Sequence, residues 1–351
     1  MSQQRHILLT GVGAPGVEGT LYALRQLDAF ILGVDADPHA VGQYLCDEFR
    51  TIPMARDEKA YLSAILLLCA EFDVDVILPQ NTSELLLLAA HKPIFEAQGT
   101  TIVVSDGQSI ECANNKYLLL EKSRRLGLPT CEYVLCTDFA HLRAEVERRK
   151  ERGQWTVVKP PCGNGSRGVR VIIEGDESKR KEDFYRLKPS SLYCTIDELY
   201  AILGDEFPEL LVMDYLEGEE FTVDVLRTEK SFVAIPRKRE SMRSGITFRA
   251  SLEQDEAIIR ASRELAEALD LRYCFGFQFK RSRDGLPMLL ECNPRVQGTM
   301  VMSVMAGANI IAAAVRAALG EEEPEMAVRW DTKLVRYWGA IGVNESGMVK
   351  I

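Results

Sequence analysis

Gln278, Glu291, Asn293 and Arg295 lie close together in the chain and carry the side-chain types that hold a divalent cation against an anion. They sit in two segments, Phe275-Gly-Phe-Gln-Phe-Lys280 and Leu289-Leu-Glu-Cys-Asn-Pro-Arg295, separated by Arg283-Asp-Gly-Leu286. Asp-Gly between alternating apolar residues is a strong hairpin signal. With Asp284 and Gly285 as a two-residue loop, Arg283 pairs with Leu286, Gln278 falls opposite Glu291, and Gly276 falls opposite Asn293. Side chains alternate between the two faces of a strand. Gln278, Lys280, Glu291, Asn293 and Arg295 therefore share one face, while Phe275, Phe277, Phe279, Leu290 and Cys292 point into a core. Carboxylate and amide oxygens suit Mg²⁺, which is commonly shared between one or two protein carboxylates and substrate phosphates. An amphipathic surface hairpin with outward polar residues satisfies the same spacing.

Three further stretches bear on chemistry. In Lys159-Pro-Pro-Cys-Gly163-Asn-Gly165-Ser166-Arg-Gly168 two strands are joined by a loop of glycines, a serine and basic residues. Glycines let backbone N–H groups approach an anion closely, and runs of such groups form phosphate-binding concavities. The GxxxxGK[ST] string is absent and a strand follows, so this is not a P-loop; a mobile hairpin tip is the plain alternative, against which Lys159 at the end of the preceding strand counts. Arg237-Lys-Arg239 and Arg243, with Gly245 and Arg249, form a local basic cluster that binds a carboxylate or phosphate, or balances neighbouring acids. Gly11-Val-Gly13-Ala-Pro-Gly16, followed by Asp35, is a GxGxxG pattern that marks either a dinucleotide site or a tight glycine turn of an ordinary βαβ unit.

The elements that must position these residues follow from the apolar pattern. His6–Thr10 and Ile31–Asp35 are short apolar runs flanking a helical stretch, and the alternation continues with a helix near 60–71, a strand at 74–78, a helix at 83–97 and a strand at 101–104. Such alternation predicts a parallel sheet covered by helices on both faces. Asn115-Lys116 opens a helix to about Leu126; strands are expected at 132–136 and 155–159, with a helix at 139–152 between them. Residues 174–192 are charged and irregular. Strands at 210–216, 219–226 and 231–236 read as antiparallel, Ser251 and Gln254 suggest a capping box for a helix to Leu269, a helix is expected at 308–319, and a last strand at 333–338.

With 351 residues, the chain has room for two or three domains. Its 46% hydrophobic and 27% charged residues are those of a soluble globular protein. A net charge of −10 argues against a general nucleic-acid binder. Nine scattered cysteines without a CxxC pair point to a reducing cytoplasm. The apolar region 300–319 is interrupted by Ser303, Gly307, Asn309 and Arg316, and reads as buried helix rather than a membrane span. The four histidines are too dispersed for a metal site.

A parallel α/β start, the Lys159 glycine loop, a strand–turn–strand with Glu220, and the Glu-x-Asn-x-Arg ending at Arg295 occur in fixed order. That order resembles the ATP-grasp superfamily, and more narrowly a single ATP-grasp unit of the carbamoyl-phosphate synthase large subunit, in the carboxylate–amine ligase branch. The chain carries one unit, with no second half and no glutaminase, so the resemblance does not extend to making carbamoyl phosphate. It implies an α/β and α+β fold: an N-terminal Rossmann-like domain (1–113), a small lid subdomain with the glycine loop (114–205), and a C-terminal subdomain with the Mg²⁺ and ATP site (206–351).

By resemblance, Lys116 and Lys159 contact nucleotide phosphates, and Gly163, Gly165, Ser166 and Gly168 close over them. Adenine lies near Met213, Asp214, Tyr215 and Leu216, with Glu220 on the ribose. Gln278, Glu291 and Asn293 hold Mg²⁺, for which Mn²⁺ can substitute, and Arg295 stabilises the transferring phosphoryl group. Arg239 and Arg243 are the candidates for gripping a substrate carboxylate, and Cys162 and Cys292 are packing residues. The implied reaction joins a small-molecule carboxylate to an amine, often an amino acid in such families, through an acylphosphate, releasing ADP and phosphate. Two other readings stand beside it: an NAD-dependent oxidoreductase using Gly11–Gly16 and Asp35, and a non-catalytic ATP-binding protein. Neither nucleic acid nor membrane is an expected partner; a homodimer is the base-rate expectation.

Overall fold

The fold is organised by three sheets, and the computed structural model describes residues 4–163, 165–173, 192–243, 245–337, 339–345 and 347–350. The first sheet has five parallel strands, β1 (His6–Thr10), β2 (Phe30–Asp35), β3 (Glu48–Thr51), β4 (Val76–Leu78) and β5 (Thr101–Ile102), in the order β3-β2-β1-β4-β5. Its strands are apolar throughout because both faces are covered. Leu8 packs into a core with Leu32, Ile65 and Phe95, whereas Ile7 and Leu9 face the other way and join Met300, Ile310 and Ile311. That second core continues into Leu226, Ile235 and Ala250, which belong to the C-terminal sheet, so the two units share one hydrophobic interior.

The strand order reverses between β1 and β4, the point at which open α/β sheets bind ligands. Here the crevice is filled by protein. A Cβ on Gly16 would lie 2.4 Å from the carbonyl oxygen of Gly298, and one on Gly11 would lie 2.5 Å from the Asn81 amide. Asp35, the acid that would hold a ribose, accepts the N–H of Gly13 at 2.7 Å. The glycines of Gly11–Gly16 allow close packing against the turn that follows the hairpin, and the dinucleotide reading fails on this geometry.

The second sheet contains β6 (Tyr133–Asp138), β7 (Thr156–Lys159), β8 (Arg170–Ile172), β9 (Tyr193–Cys194) and β10 (Glu206–Asp214), in the order β6-β10-β7-β8-β9. Strand β10 is hydrogen-bonded between β6 and β7, antiparallel to both. It therefore belongs with the lid sheet, not with the C-terminal unit to which a boundary at residue 205 would assign it. Helices Phe139–Glu151 and Ile196–Leu203 supply Leu142, Val146 and Leu199 to the core beneath this sheet. The charged stretch after Ile173 lies outside the described residues up to Leu192.

The third sheet is antiparallel, built from β11 (Glu220–Arg227), β12 (Phe232–Arg243), β13 (Ile246–Leu252), β14 (Tyr273–Arg281), β15 (Pro287–Asn293) and β16 (Lys333–Val335), in the order β15-β14-β11-β12-β13-β16. Helix Glu256–Ala268 covers its apolar face with Ile258, Ser262 and Leu265. Its cap is Asp255, whose carboxylate accepts from Ala257 N at 3.0 Å and Ile258 N at 3.1 Å. The expected Ser251 box does not form because Ser251 is held extended in β13, paired on both sides. The apolar region 300–319 forms two helices, Val301–Met305 and Ile310–Ala318, separated by Gly307 in a left-handed conformation (φ +98°).

The β14–β15 hairpin has the expected pairs, Gln278 opposite Glu291 and Gly276 opposite Asn293, by an unexpected route. Ser282 N donates to Leu286 O at 2.9 Å, and Gly285 takes φ +78°, so the loop has one more residue than Asp284-Gly285 alone supplies. Nearer the loop the register is Phe279 with Leu289, Lys280 with Met288 and Arg281 with Pro287. A bulge at Leu290 restores the original pairing beyond it. Leu289, not Leu290, consequently fills the core, at 1% exposure.

Candidate active site

The polar face of the third sheet is the floor of the site. Glu291, Gln278, Thr222 and Arg237 stand in one row across β15, β14, β11 and β12. A neighbouring row holds Lys280 opposite Glu220, and the row on the other side pairs Asn293, Gly276 and Asp224. The opposite face is the aromatic core of Phe275, Phe277 and Phe279. Strand alternation thus delivers oxygen ligands to one side and anchors them on rigid packing beneath.

Two buried lysines come to Glu291 from the lid side. Lys116 begins helix Lys116–Arg125, whose cap Asn115 accepts from Tyr117 N and Leu118 N. Its ammonium lies 3.9 Å from Glu291 Oε2 and donates to Gly163 O at 2.6 Å. Lys159 ends β7 and donates to Leu290 O at 3.3 Å, the carbonyl of the bulge residue. Burial lowers the Lys159 pKa to about 8, opposed by the attraction of Glu291 and reinforced by the charge of Lys116. The ordinary lysine value is near 10.4. A cavity of about 190 Å³ opens here, lined by Thr82, Asn114, Cys162, Gly163, Glu291 and Asn293. Cys162 is exposed at this cavity rather than packed, while Cys292 is buried as expected.

Arg295 is held from three sides: Nε donates to Thr82 Oγ1 at 2.9 Å, Nη1 to Val296 O at 2.9 Å, and Nη2 reaches Asn293 Oδ1 at 3.5 Å. Burial pulls its pKa below the usual guanidinium value, against the fields of Glu291 and Glu84. Thr82 belongs to the first domain and carried no chemical signal of its own in the sequence. Its segment is fixed by Glu84, a buried carboxylate that accepts from Thr10 Oγ1, Tyr61 OH and Asn81 N.

The glycine loop arches from β7 toward the β12–β13 turn. Gly163, Gly165 and Gly168 all have positive φ, as does Ser166 at 58°. A Cβ on Gly245 would sit 3.4 Å from Ser166 Oγ, which places the loop against that turn. Asn164 lies outside the described residues. In the segment expected to lie near adenine, Met213 is buried, and the Asp214 carboxylate is bonded to Arg149 Nε at 3.0 Å. Tyr215 N donates to Trp155 O at 2.9 Å, and Tyr215 O accepts from Gln154 Nε2. None of these bonds uses the backbone of Leu216. Lys280 Nζ lies 4.9 Å from the Tyr215 ring centroid, a cation over an aromatic face beside the same segment.

The two arginines expected to grip substrate are committed elsewhere. Arg239 pairs with Glu220 and donates to Thr247 Oγ1 at 2.9 Å and Gly245 O at 2.6 Å. Arg243 stacks on Phe248 with its guanidinium carbon 4.6 Å from the ring centroid. Arg237, the third member of the basic cluster, is fully buried and forks onto Asp224 with two bonds of 2.7 Å.

The glycine-loop end of the second sheet and the Glu291–Asn293 end of the third meet at this cavity of about 190 Å³, the arrangement of an ATP-grasp fold. Residues 206–338 match the family model described as ATP-grasp in the biosynthetic pathway with Ter operon, and residues 7–103 match that of the PylC-like N-terminal domain. The C-terminal part thus carries an ATP-grasp domain and the N-terminal part a PylC-like domain. It is 23% identical over 231 residues to the 3-methyl-D-ornithine–L-lysine ligase of Methanosarcina acetivorans, covering 65% of this chain and 49% of that one. It spans about half the length of the curated relatives it matches. Among solved structures, the biotin carboxylase domain of Hydrogenobacter thermophilus 2-oxoglutarate carboxylase, in complex with MgADP and bicarbonate, superimposes with TM-score 0.67 at 19% identity, over 95% of this chain and 74% of that one. The L-amino acid ligase of Bacillus licheniformis does so with TM-score 0.63 at 15% identity, over 92% and 76%.

Proposed function

We propose that the protein is an ADP-forming ligase that joins a small-molecule carboxylate to an amine through an acylphosphate. The observation that carries this reading is the meeting of Glu291, Gln278 and Asn293 on one sheet face with the buried ammonium groups of Lys116 and Lys159. The donor set is all oxygen and contains a single carboxylate, which fits Mg²⁺ completed by phosphate oxygens, and Mn²⁺ equally. Such an ion would neutralise charge on the β- and γ-phosphates. Lys116 and Lys159 add fixed positive charge from the lid side, and Gly163 lines the same cavity.

In the reaction a substrate carboxylate oxygen attacks the γ-phosphorus of ATP, the bond to the bridging oxygen breaks, and ADP leaves. The amine then attacks the acyl carbon, loses a proton, and expels phosphate. Arg295, oriented by Thr82, Val296 and Asn293, neutralises charge on the transferring group. Phosphoryl transfer asks mainly for positioning and charge neutralisation, which suits a site built from lysines, an arginine and oxygen ligands. The ligases among the relatives, with amino acids in their names, and the MgADP-bound neighbour favour the same class.

The test is ADP release across a panel of carboxylic acids and amines, with hydroxylamine as a trap. Hydroxamate that appears only with Mg-ATP and one class of carboxylate is the expected result. Mg-ATP binding without turnover on any pair would instead favour a non-catalytic ATP-binding protein.

A further inference from the structure

Lys280, Glu220 and Arg239 form one row across the site face of the third sheet. Glu220 of β11 is the direct cross-strand partner of Lys280 in β14. On its other side Phe221 pairs with Lys238, and Arg239, the next residue of β12, reaches Glu220 with Nη1. A carboxylate thus stands between two cations, and opposite charges in directly paired positions ordinarily bond to each other. Here only one of the two does. Arg239 takes the carboxylate with a fork that is fixed twice more, by Thr247 Oγ1 at 2.9 Å and Gly245 O at 2.6 Å, and its side chain is only 7% exposed. The planar guanidinium satisfies all three contacts at once, which a flexible ammonium cannot match. Lys280 is left over. It is half-buried, its Nζ lies 4.9 Å from the Tyr215 ring centroid, and it makes no hydrogen bond or ion pair among the described residues. An ammonium carries three donors, so its place in the cleft calls for an acceptor brought by a ligand.

Its position says which part of a ligand that is. Lys280 lies two residues beyond Gln278 along β14, about 7 Å from the row that would hold the metal and the terminal phosphates. On the opposite side of that row the way is closed. Gln297 lies across Gly276, where a Cβ would come within 1.9 Å of its Nε2. The nucleoside therefore leaves the phosphates toward Lys280, where Tyr215, the residue after β10 of the lid sheet, comes down on the ammonium. The sugar is the next group of a nucleotide after its phosphates. Each of its two vicinal hydroxyls donates one proton and accepts another, which suits a carboxylate standing beside an ammonium. We propose that Lys280 binds the ribose of the nucleotide by donating to a hydroxyl oxygen, and that Arg239 is a positioning residue that keeps Glu220 from pairing with Lys280. This rests on the nucleotide half of the ligase reading and adds to it a contact selective for the sugar.

The experiment is calorimetric titration of the full chain with Mg-ADP, its 2′-deoxy and 3′-deoxy forms, and magnesium tripolyphosphate as a probe without sugar. Native protein is compared with Lys280→Met, Lys280→Arg and Arg239→Met, and the Tm of each variant checks that folding is retained. Native protein should bind ADP about tenfold more tightly than the weaker of the two deoxy forms. Lys280→Met should weaken ADP about tenfold while leaving that deoxy form and tripolyphosphate within about twofold. Arg239→Met should reproduce the loss, because Glu220 then closes onto Lys280, and Lys280→Arg should keep part of the preference. Should Arg239→Met fail to fold, Lys280→Met still decides the contact. Equal affinity of native protein for ADP and both deoxy forms, an unchanged preference in Lys280→Met, or a parallel loss for every probe would overturn the proposal. So would failure of native protein to bind Mg-ADP. Binding of ADP without turnover of ATP on any carboxylate and amine removes the ligase reading alone, and the deoxy comparison then decides the ribose contact by itself.

Discussion

Lys159 offers a quantitative test, because burial has brought its titration into an accessible range. Its pKa of about 8 means that roughly nine-tenths of the side chain is protonated at pH 7 and roughly one-tenth at pH 9. If the ammonium must be charged to receive ATP, the KM for ATP rises about tenfold between those pH values. The substitution Lys159→Arg puts a guanidinium there that stays charged throughout, and it should flatten the profile. Stability gives an independent reading of the same shift. The folded pKa lies below the unfolded one near 10.4, so the unfolded chain binds more protons between them, and stability rises with pH across that window. Below pH 8 the folded state carries the full cost, about 3 kcal/mol for a depression from 10.5 to about 8. Lys159→Met should therefore be more stable than native protein at pH 7 by up to ~3 kcal/mol, with the gap closing toward pH 10–11. It should also fail to bind ATP. Steady-state kinetics with Mg-ATP and urea unfolding across pH 7 to 10.5 measure both. A flat native KM profile, or the same slope in Lys159→Arg, would refute the reasoning.

Other substitutions probe the remaining groups. Glu291→Gln removes the single carboxylate of the ligand set and should lower kcat by about 10²–10³ at saturating ATP, measured as ADP release; a loss under fivefold would remove Glu291 from that role. Thr82→Val deletes the 2.9 Å bond to Arg295 Nε, and about 1–1.5 kcal/mol translates into a five- to tenfold lower kcat. Thr82→Ser should keep most of the activity, whereas equal losses in both variants would point to damage in packing instead. Asp224→Ala leaves Arg237 buried without its partner and should cost about 3–5 kcal/mol in urea unfolding, against less than 1 kcal/mol if the pair were exposed.

The Gln278–Glu291 pairing of the hairpin was legible in the sequence because Asp284-Gly285 marks a turn locally and strand alternation then assigns the faces. The sequence hid the extra loop residue and the bulge at Leu290, which offset each other, so that the Gln278–Glu291 pair survived while Leu289 replaced Leu290 in the core. Lys159 stood out because it ends a strand at the glycine loop, whereas Lys116 was implied only by the family resemblance; both ammonium groups lie toward Glu291. The partners of the arginines were not legible, for the opposite reason. Whether Arg237, Arg239 or Arg243 faces substrate depends on the β11–β12 and β12–β13 registers, and the latter contains irregularities on either side of Ser241. Asp224 and Glu220, their acidic partners, sit in another strand and carry no local signal of the pairing. Thr82 reaches Arg295 from the first domain, and the core shared between the first and third sheets brings the two together. The same docking explains why Gly11–Gly16 matched a dinucleotide pattern: close approach to Gly298 demands glycine as firmly as a pyrophosphate would.

Isotope transfer tests the central claim most directly. With the substrate carboxylate labelled by ¹⁸O and the reaction run to a single turnover in unlabelled water, the released phosphate should carry one labelled oxygen. That oxygen can arrive only through an acylphosphate formed at the γ-phosphorus. Unlabelled phosphate accompanying amide product would contradict the account.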